Sequence, residues 1–442
     1  MATYGGITGK FDLTVGAPQN VVRQHHGNLI LVAGGGIAVT NTLKESTQYL
    51  SDLVYRRFKA RLFTDEDIYY FNPHPFHDLN GDGFGENIVK DTAPTVGKFG
   101  LTVTQWATDQ STDGPLYIYL IDHGDTDSFQ IFPGENLTAA QLKGFIDTFQ
   151  AATNRQVIVM IEACKSGSFT NDLVTTGQDR IVVTSTTDQY LLMSPFGRDS
   201  FTQFFLDKLW EGDSIQTAFD KARQRLISLG APYSQQSPQK AEGVSLASVN
   251  AWIGGNFIVA GALPEFTGQT ANQSIAANTT QALFARLDPA VIQTIEKVWA
   301  VIIPPVYETS GTETQVLQFP TLDLADADKD GQYDGSYNAF TYSGDYRVTF
   351  YASNTNGNII TSAPTVFSVT GGMSAGTPGD INGDGDVTLA DAILALQITA
   401  GVTPATGVIQ AGYIPTSGDA NTDNKIGITE AIYILQTVAG MR

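Results

Sequence analysis

The 442 residues contain a single cysteine, and it closes an apolar run, Val157-Ile-Val-Met-Ile-Glu-Ala-Cys164. Upstream, a second run, Leu116-Tyr-Ile-Tyr-Leu-Ile-Asp-His123-Gly124, closes on a histidine. A thiol attacks well only as thiolate; a nearby imidazole favours that form and can then act as acid and base. Acyl transfer is the chemistry such a pair performs. The turn Lys165-Ser-Gly-Ser168 adds backbone amides that, with the amide of Gly124, can hold an oxyanion. A side chain at 124 would obstruct that approach. A buried structural cysteine beside a capping histidine is the plainer alternative. Two reactive side chains ending neighbouring strand-like runs weigh against it.

The elements that must carry these residues follow from the pattern. Continuous runs of β-branched and aromatic residues read as strands buried on both faces, and open parallel sheets gather ligands at the carboxyl ends of their strands. From Asn28 such runs (Leu29–Ala33, Ile68–Phe71, Leu116–Ile121, Val157–Ile161, Arg180–Ser185) alternate with helical patterns at Ser46–Arg61, Ala139–Ala152, Phe201–Trp210 and Ser214–Leu229. This predicts an α/β domain over 27–263, a mostly parallel sheet with helices on both faces. Residues 1–26 read as an arm and 264–280 as a connector. Over 281–370, strands such as Lys297–Ile303, Thr314–Phe319, Gly344–Ser353 and Pro364–Val369 follow one another without helices, which predicts an all-β, immunoglobulin-like sandwich. A linker, 371–378, leads to 379–442, where Gly379–Gly401 recurs as Gly418–Gly440 with one helical pattern per repeat.

The formal charge of −20 speaks against nucleic-acid backbones and anionic membrane surfaces as partners, and no apolar run is long enough to span a bilayer. The opening residues lack a signal-peptide pattern, so the protein is cytoplasmic or has lost a leader. The acidic residues find a use in the repeat. A twelve-residue loop that supplies oxygens from positions 1, 3, 5, 7, 9 and 12 suits Ca2+. The first loop offers Asp380, Asn382, Asp384, the Asp386 carbonyl, Thr388 and Asp391; the second offers Asp419, Asn421, Asp423, the Lys425 carbonyl and Glu430. A further site is expected at Asp326, Asp328, Asp330, the Gln332 carbonyl and Asp334. The loop 78–86 has the same acidic spacing and reads equally as a fourth Ca2+ site or a solvated turn, and His74 and His77 beside it read as packing residues.

One loop and one helix per repeat resembles the dockerin module, which implies a cohesin-like partner; intramolecular docking on the sandwich is the alternative. His-Gly after one strand and Glu-Ala-Cys-Lys-Ser-Gly-Ser after the next resemble legumain-type (C13) cysteine peptidases of the caspase-like clan. That resemblance implies Cys164 as nucleophile, His123 as acid and base, and Asn41 as the residue orienting His123. It also implies Glu162 and Asp199 as pocket acids, with Ser185 in a wall formed by Thr184–Thr187. Where legumains place Arg-His this chain has Leu43-Lys44, so two carboxylates without a fixed guanidinium favour cleavage after Arg or Lys. Lys44 can instead neutralise the pocket and restore an Asn or Asp preference. The expectation is a secreted or cell-surface endopeptidase acting on proteins, with Ca2+ in its C-terminal module; a third reading is a zymogen whose arm fills the cleft until it is trimmed at Lys10 or Arg23. The competing expectation is a non-catalytic extracellular binding protein on a caspase-like scaffold.

Overall fold

The computed structural model describes residues 2–4, 7–9, 26–79, 84–256, 266–288, 295–305, 315–354, 359–372, 379–382, 386–402 and 426–441. Lys10, Arg23, Asp384, Asp419, Asn421, Asp423 and Lys425 lie outside them. The chain forms two compact units: Met1–Gln189 with Phe201–Arg223 and Ser237–Val259, and Tyr190–Ser200 with Gln224–Gln236 and Ala260–Arg442.

The first unit is built on β1 (Asn28–Ala33), α1 (Lys44–Ala60), β2 (Ile68–Phe71), β3 (Leu116–Ile121), α2 (Ala139–Thr153), β4 (Val157–Glu162), α3 (Ser168–Leu173), β5 (Arg180–Thr184), α4 (Phe201–Glu211) and β6 (Gln239–Glu242). α5 (Ile215–Leu229) begins in this unit and ends in the other. The strands form one sheet in the order β6-β5-β4-β3-β1-β2, parallel except at the β6 edge. β1, β3, β4 and β5 are buried along their whole lengths because both faces are covered. Ile118, Leu120, Val159 and Ile161 pack on one face with Leu142, Ile146 and Phe149 of α2 and Phe169 of α3. Side chains alternate along a strand, so Tyr117, Tyr119 and Glu162 point to the opposite face. There Tyr117 meets Phe58 of α1 edge to face, and Tyr119 Oη lies 2.8 Å from Thr202 Oγ1 of α4.

In the second unit, β7 (Phe266–Gln269), β9 (Gln281–Leu287) and β12 (Gln332–Tyr337) form one antiparallel sheet. β8 (Gln273–Ala276), β10 (Ile295–Ile303), β11 (Thr321–Leu324), β13 (Gly344–Asn354), β14 (Ile359–Thr361) and β15 (Thr365–Thr370) form another, in the order β8-β15-β13-β10-β11 with β14 on β13. Leu283, Ala285 and Leu287 of the first sheet share a core with Val298, Ala300, Val348, Phe350 and Phe367 of the second. Within the expected strand Thr314–Phe319, whose first residue lies outside the described ones, Gln315–Val316 pairs with Leu192-Met193 and Leu317 N donates to the Met193 carbonyl. α6 (Leu389–Thr399) and α7 (Ile428–Val438) close the chain over a small core of Ile381, Leu394, Ala395, Ala431 and Ile434.

The segments 190–200 and 224–236 sit inside the sequence span expected of the first domain yet cluster with the second unit. Their bonds explain why. Tyr351 Oη donates to Asp199 Oδ1 at 2.6 Å, Arg225 Nη2 donates to the Ser362 carbonyl at 2.7 Å, and Tyr233 meets Phe319 edge to face.

Candidate active site

The sheet fixes the site by register. β3 and β4 are parallel neighbours with Ile121 level with Glu162, so His123 and Cys164, each two residues further on, emerge side by side. β1 lies on the other flank of β3, with Ala33 level with Ile121. Its following loop brings Asn41 to the same edge. Chain order reverses here, since β1 is followed by β2 on one side and β3 on the other, and this switch point is where open α/β sheets hold ligands.

Asn41 is buried and has one possible orientation. Its Nδ2 donates to the Gly36 carbonyl at 2.9 Å and to Asp122 Oδ2 at 3.1 Å, and its Oδ1 accepts the Leu43 amide at 2.9 Å. Oδ1 also lies 3.1 Å from His123 Nε2. An amide oxygen only accepts, so Nε2 carries the proton and Nδ1 keeps its lone pair. Asp122, overlooked in the sequence, is wholly buried and accepts from Thr47 Oγ1 at 2.7 Å and from the His123 amide at 2.7 Å. Burial pushes its carboxyl above the usual range, against the charge of His123 and its hydrogen bonds. Space for it comes from Gly35, at φ +64°, where a Cβ would stand 1.9 Å from Asp122 Oδ1. The glycine triplet after β1 and the aspartate before the histidine were the available signals.

Cys164 is buried. A Cβ on Gly124 would come within 2.7 Å of the Cys164 carbonyl and 2.9 Å of the Ala163 Cβ, so the histidine and cysteine turns are in direct contact. Three amides expected to cradle an oxyanion are already used: Lys165 N donates to the Gln189 carbonyl, Gly167 N to that of Thr187, and Ser168 N to that of Lys165. In the hairpin after His123 the ladder bond runs from Gln130 N to the His123 carbonyl, which leaves the Gly124 amide outside the ladder.

The expected pocket residues divide. Glu162 is wholly buried on the α4 face, its Oε2 accepting the Thr202 amide at 2.8 Å. Its Oε1 has no hydrogen-bond partner among the described residues. Burial pushes this carboxyl up to about 7. Lys44 opens α1 and is half-buried. Ser185, expected in the pocket wall, is wholly buried, and its Oγ accepts the Ala163 amide at 3.3 Å. A polar group taken from water must find such a partner. Asp199 falls in the second unit, where burial raises its carboxyl and Tyr351 takes Oδ1.

In the second unit, carboxylate oxygens of Asp326, Asp328 and Asp330 lie within 4.8 Å of one another. The tight turn has Lys329 at φ 62° and Gly331 at φ 88°, and Gln332 Nε2 donates to Asp334 Oδ1. In the first repeat Asp391 accepts the amides of Ile381, Asn382 and Thr388, and Asp380 is buried. In the second, Glu430 accepts the Gly427 amide. All of these are hard oxygen donors, the set suited to Ca2+.

An open α/β sheet that ends two neighbouring central strands on an imidazole and a thiol defines a candidate cysteine hydrolase. Residues 100–234 match the Peptidase C13 family, which supports a legumain-like C13 peptidase domain and a cysteine peptidase acting on proteins. No curated protein matches the chain. Among solved structures, the chain is similar to fibronectin(III)-like modules of CbhA from Clostridium thermocellum (15% identity, 24% of this chain and 94% of that one, TM-score 0.16). It is also similar to murine CRIg (9%, 24% and 97%, TM-score 0.15) and to wild-type OgpA from Akkermansia muciniphila (11%, 52% and 70%, TM-score 0.19). Scores of this size carry no argument. No described helix is long and apolar enough to cross a membrane.

Proposed function

We propose that the chain is a cysteine endopeptidase in which Cys164 attacks the scissile carbonyl and His123 moves the proton. The observation that carries this reading is the register that sets His123 and Cys164 level at the ends of adjacent strands. With Nε2–H held by Asn41, the Nδ1 lone pair accepts the thiol proton. The thiolate adds to the carbonyl carbon, and the Gly124 amide is the donor proposed for the developing oxyanion. Collapse expels the amine, which takes the proton from His123 and leaves a thioester on Cys164. Water, losing a proton to Nδ1, then adds to the thioester and releases the carboxylic acid and the thiol.

Glu162, with one oxygen unpartnered, supports a preference for Arg or Lys at P1. Neutralisation of Glu162 by Lys44 would turn the preference toward Asn or Asp. The test combines a fluorogenic P1 library with labelling by a cysteine-directed peptide inhibitor. We expect basic P1 residues to be cut and both turnover and labelling to vanish in Cys164→Ala. Turnover that survives this substitution would sink the reading, whereas cleavage confined to Asn or Asp would overturn the specificity alone.

The two sheets of the second unit and the capped helices of the repeat support an immunoglobulin-like domain followed by a dockerin-like module. In that reading Asp380, Asn382, the Asp386 carbonyl, Thr388 and Asp391 hold one Ca2+, the loop ending at Glu430 a second, and Asp326–Asp334 a third. Bound calcium would fix these loops. A docking partner or the sandwich itself receives the module, and the protein works outside the cell.

A further inference from the structure

We infer that Asp122 and Thr47 are positioning residues of the thiol–imidazole site, acting on His123 through Asn41 in one chain of groups that starts on α1. This rests on the peptidase reading given above. The chain is continuous and buried throughout: Thr47, Asp122 and Asn41 are at most 6% exposed. Thr47 Oγ1 donates to Asp122 Oδ2 at 2.7 Å, Asn41 Nδ2 donates to the same oxygen at 3.1 Å, and Asn41 Oδ1 faces His123 Nε2 at 3.1 Å. Each link dictates the next. The carboxylate forces Nδ2 toward itself, which turns Oδ1 toward the ring, which places the ring proton on Nε2 and leaves Nδ1 to the thiol.

Asp122 contributes charge as well as direction. Its Oδ1 lies 4.0 Å from His123 Nε2, the carboxylate wholly buried and the ring partly exposed. When Cys164 gives up its proton the ring becomes an imidazolium, and this carboxylate is the negative charge beside it. Opposite charges at that separation favour each other's ionised form. The influences on the Asp122 carboxyl are burial, which raises it, and His123 with the donors from Asn41, Thr47 and the His123 amide, which oppose burial. Thr47 enters from α1 without a charge of its own. Its hydroxyl keeps Oδ2 aimed at Asn41 rather than letting the carboxylate swing wholly onto the ring.

The test compares Asp122→Asn, Thr47→Val and Thr47→Ser with the parent chain. It measures peptide-substrate kcat and KM, the pH dependence of Cys164 alkylation by iodoacetamide, and the melting temperature. Asp122→Asn keeps the shape and removes the charge. We expect kcat to fall on the order of 100-fold with KM little changed, the scale of a disrupted acid–base group. The alkylation profile should move to higher pH by about one unit, because an imidazolium without its counter-charge stabilises the thiolate less. Thr47→Val should show the same pattern at about 10-fold, with Thr47→Ser restoring the parent values, since one hydrogen bond from an uncharged hydroxyl to the carboxylate is at stake.

If Asp122→Asn fails to fold, the two Thr47 variants decide the matter. Folded variants with the parent's kcat and alkylation profile overturn the inference and leave the peptidase reading standing. A shifted alkylation profile in a chain that cuts no peptide supports the inference and sinks that reading.

Discussion

Glu162 shows how a single buried carboxyl can report on the site from a distance. Burial raises it from its ordinary value of 4.5 to about 7, so the folded chain binds this proton more tightly than the unfolded one. Stability from this group is therefore greatest below the unfolded value, declines as pH rises from there through the folded value, and is level above it. That interval corresponds to about 3 kcal/mol. In Glu162→Gln this slope should disappear, so the variant gains about 2–3 kcal/mol relative to the parent between pH 5 and pH 8 in urea melts. An equal difference at both pH values would contradict a buried, unpaired carboxyl. At this scale the sequence was legible where chemistry is concentrated in one side chain: Cys164, His123 and Asn41 all stand at the edge assigned to them. It was less legible where function depends on whom a polar atom meets. Nothing in the letters around Asp122, Thr47 or Ser185 says that Asp122 accepts from a helix hydroxyl or that Ser185 turns inward to Ala163.

Among the elements, the strands β1 to β5 were readable nearly to the residue because burial on both faces leaves an unbroken apolar run. A short strand that pairs out of sequence order was not, as Gln315–Val316 shows. The critical contact between elements is the one between the two turns that follow β3 and β4. Gly124 there touches the Cys164 backbone with no space for a methyl group, the nearest atom being 2.7 Å from an ideal Cβ. Gly124→Ala should therefore spread the two turns at a cost of about 1–3 kcal/mol, the range for overpacking a closed interior. Because the displaced backbone carries the thiol, alkylation of Cys164 should slow while the fold persists. A variant with the parent's melting temperature and alkylation rate would show that the turns yield without consequence.

For the molecule as a whole, the net charge of −20 is a cost that bound cations can offset. If the repeat and the Asp326 loop hold calcium, metal binding is linked to folding of the second unit. Each loop saturated at a thousand times its dissociation constant adds about 4 kcal/mol. Calorimetry of the full chain should then show a transition that moves to lower temperature in EDTA and returns on adding Ca2+ but not Mg2+. A melt indifferent to chelation would remove calcium from the description of this protein.

The placement of Asp199 also has a consequence in time. Its hydrogen-bond partner, Tyr351, is 152 residues further along the chain. At synthesis rates of about 5–20 residues per second, residues 190–200 leave the ribosome roughly 10–30 s before that partner exists. The strands of the first unit can pair in that interval, but residues 190–200 cannot reach their final contacts. Maturation of the segment 190–200 thus waits on translation of the sheets that follow it.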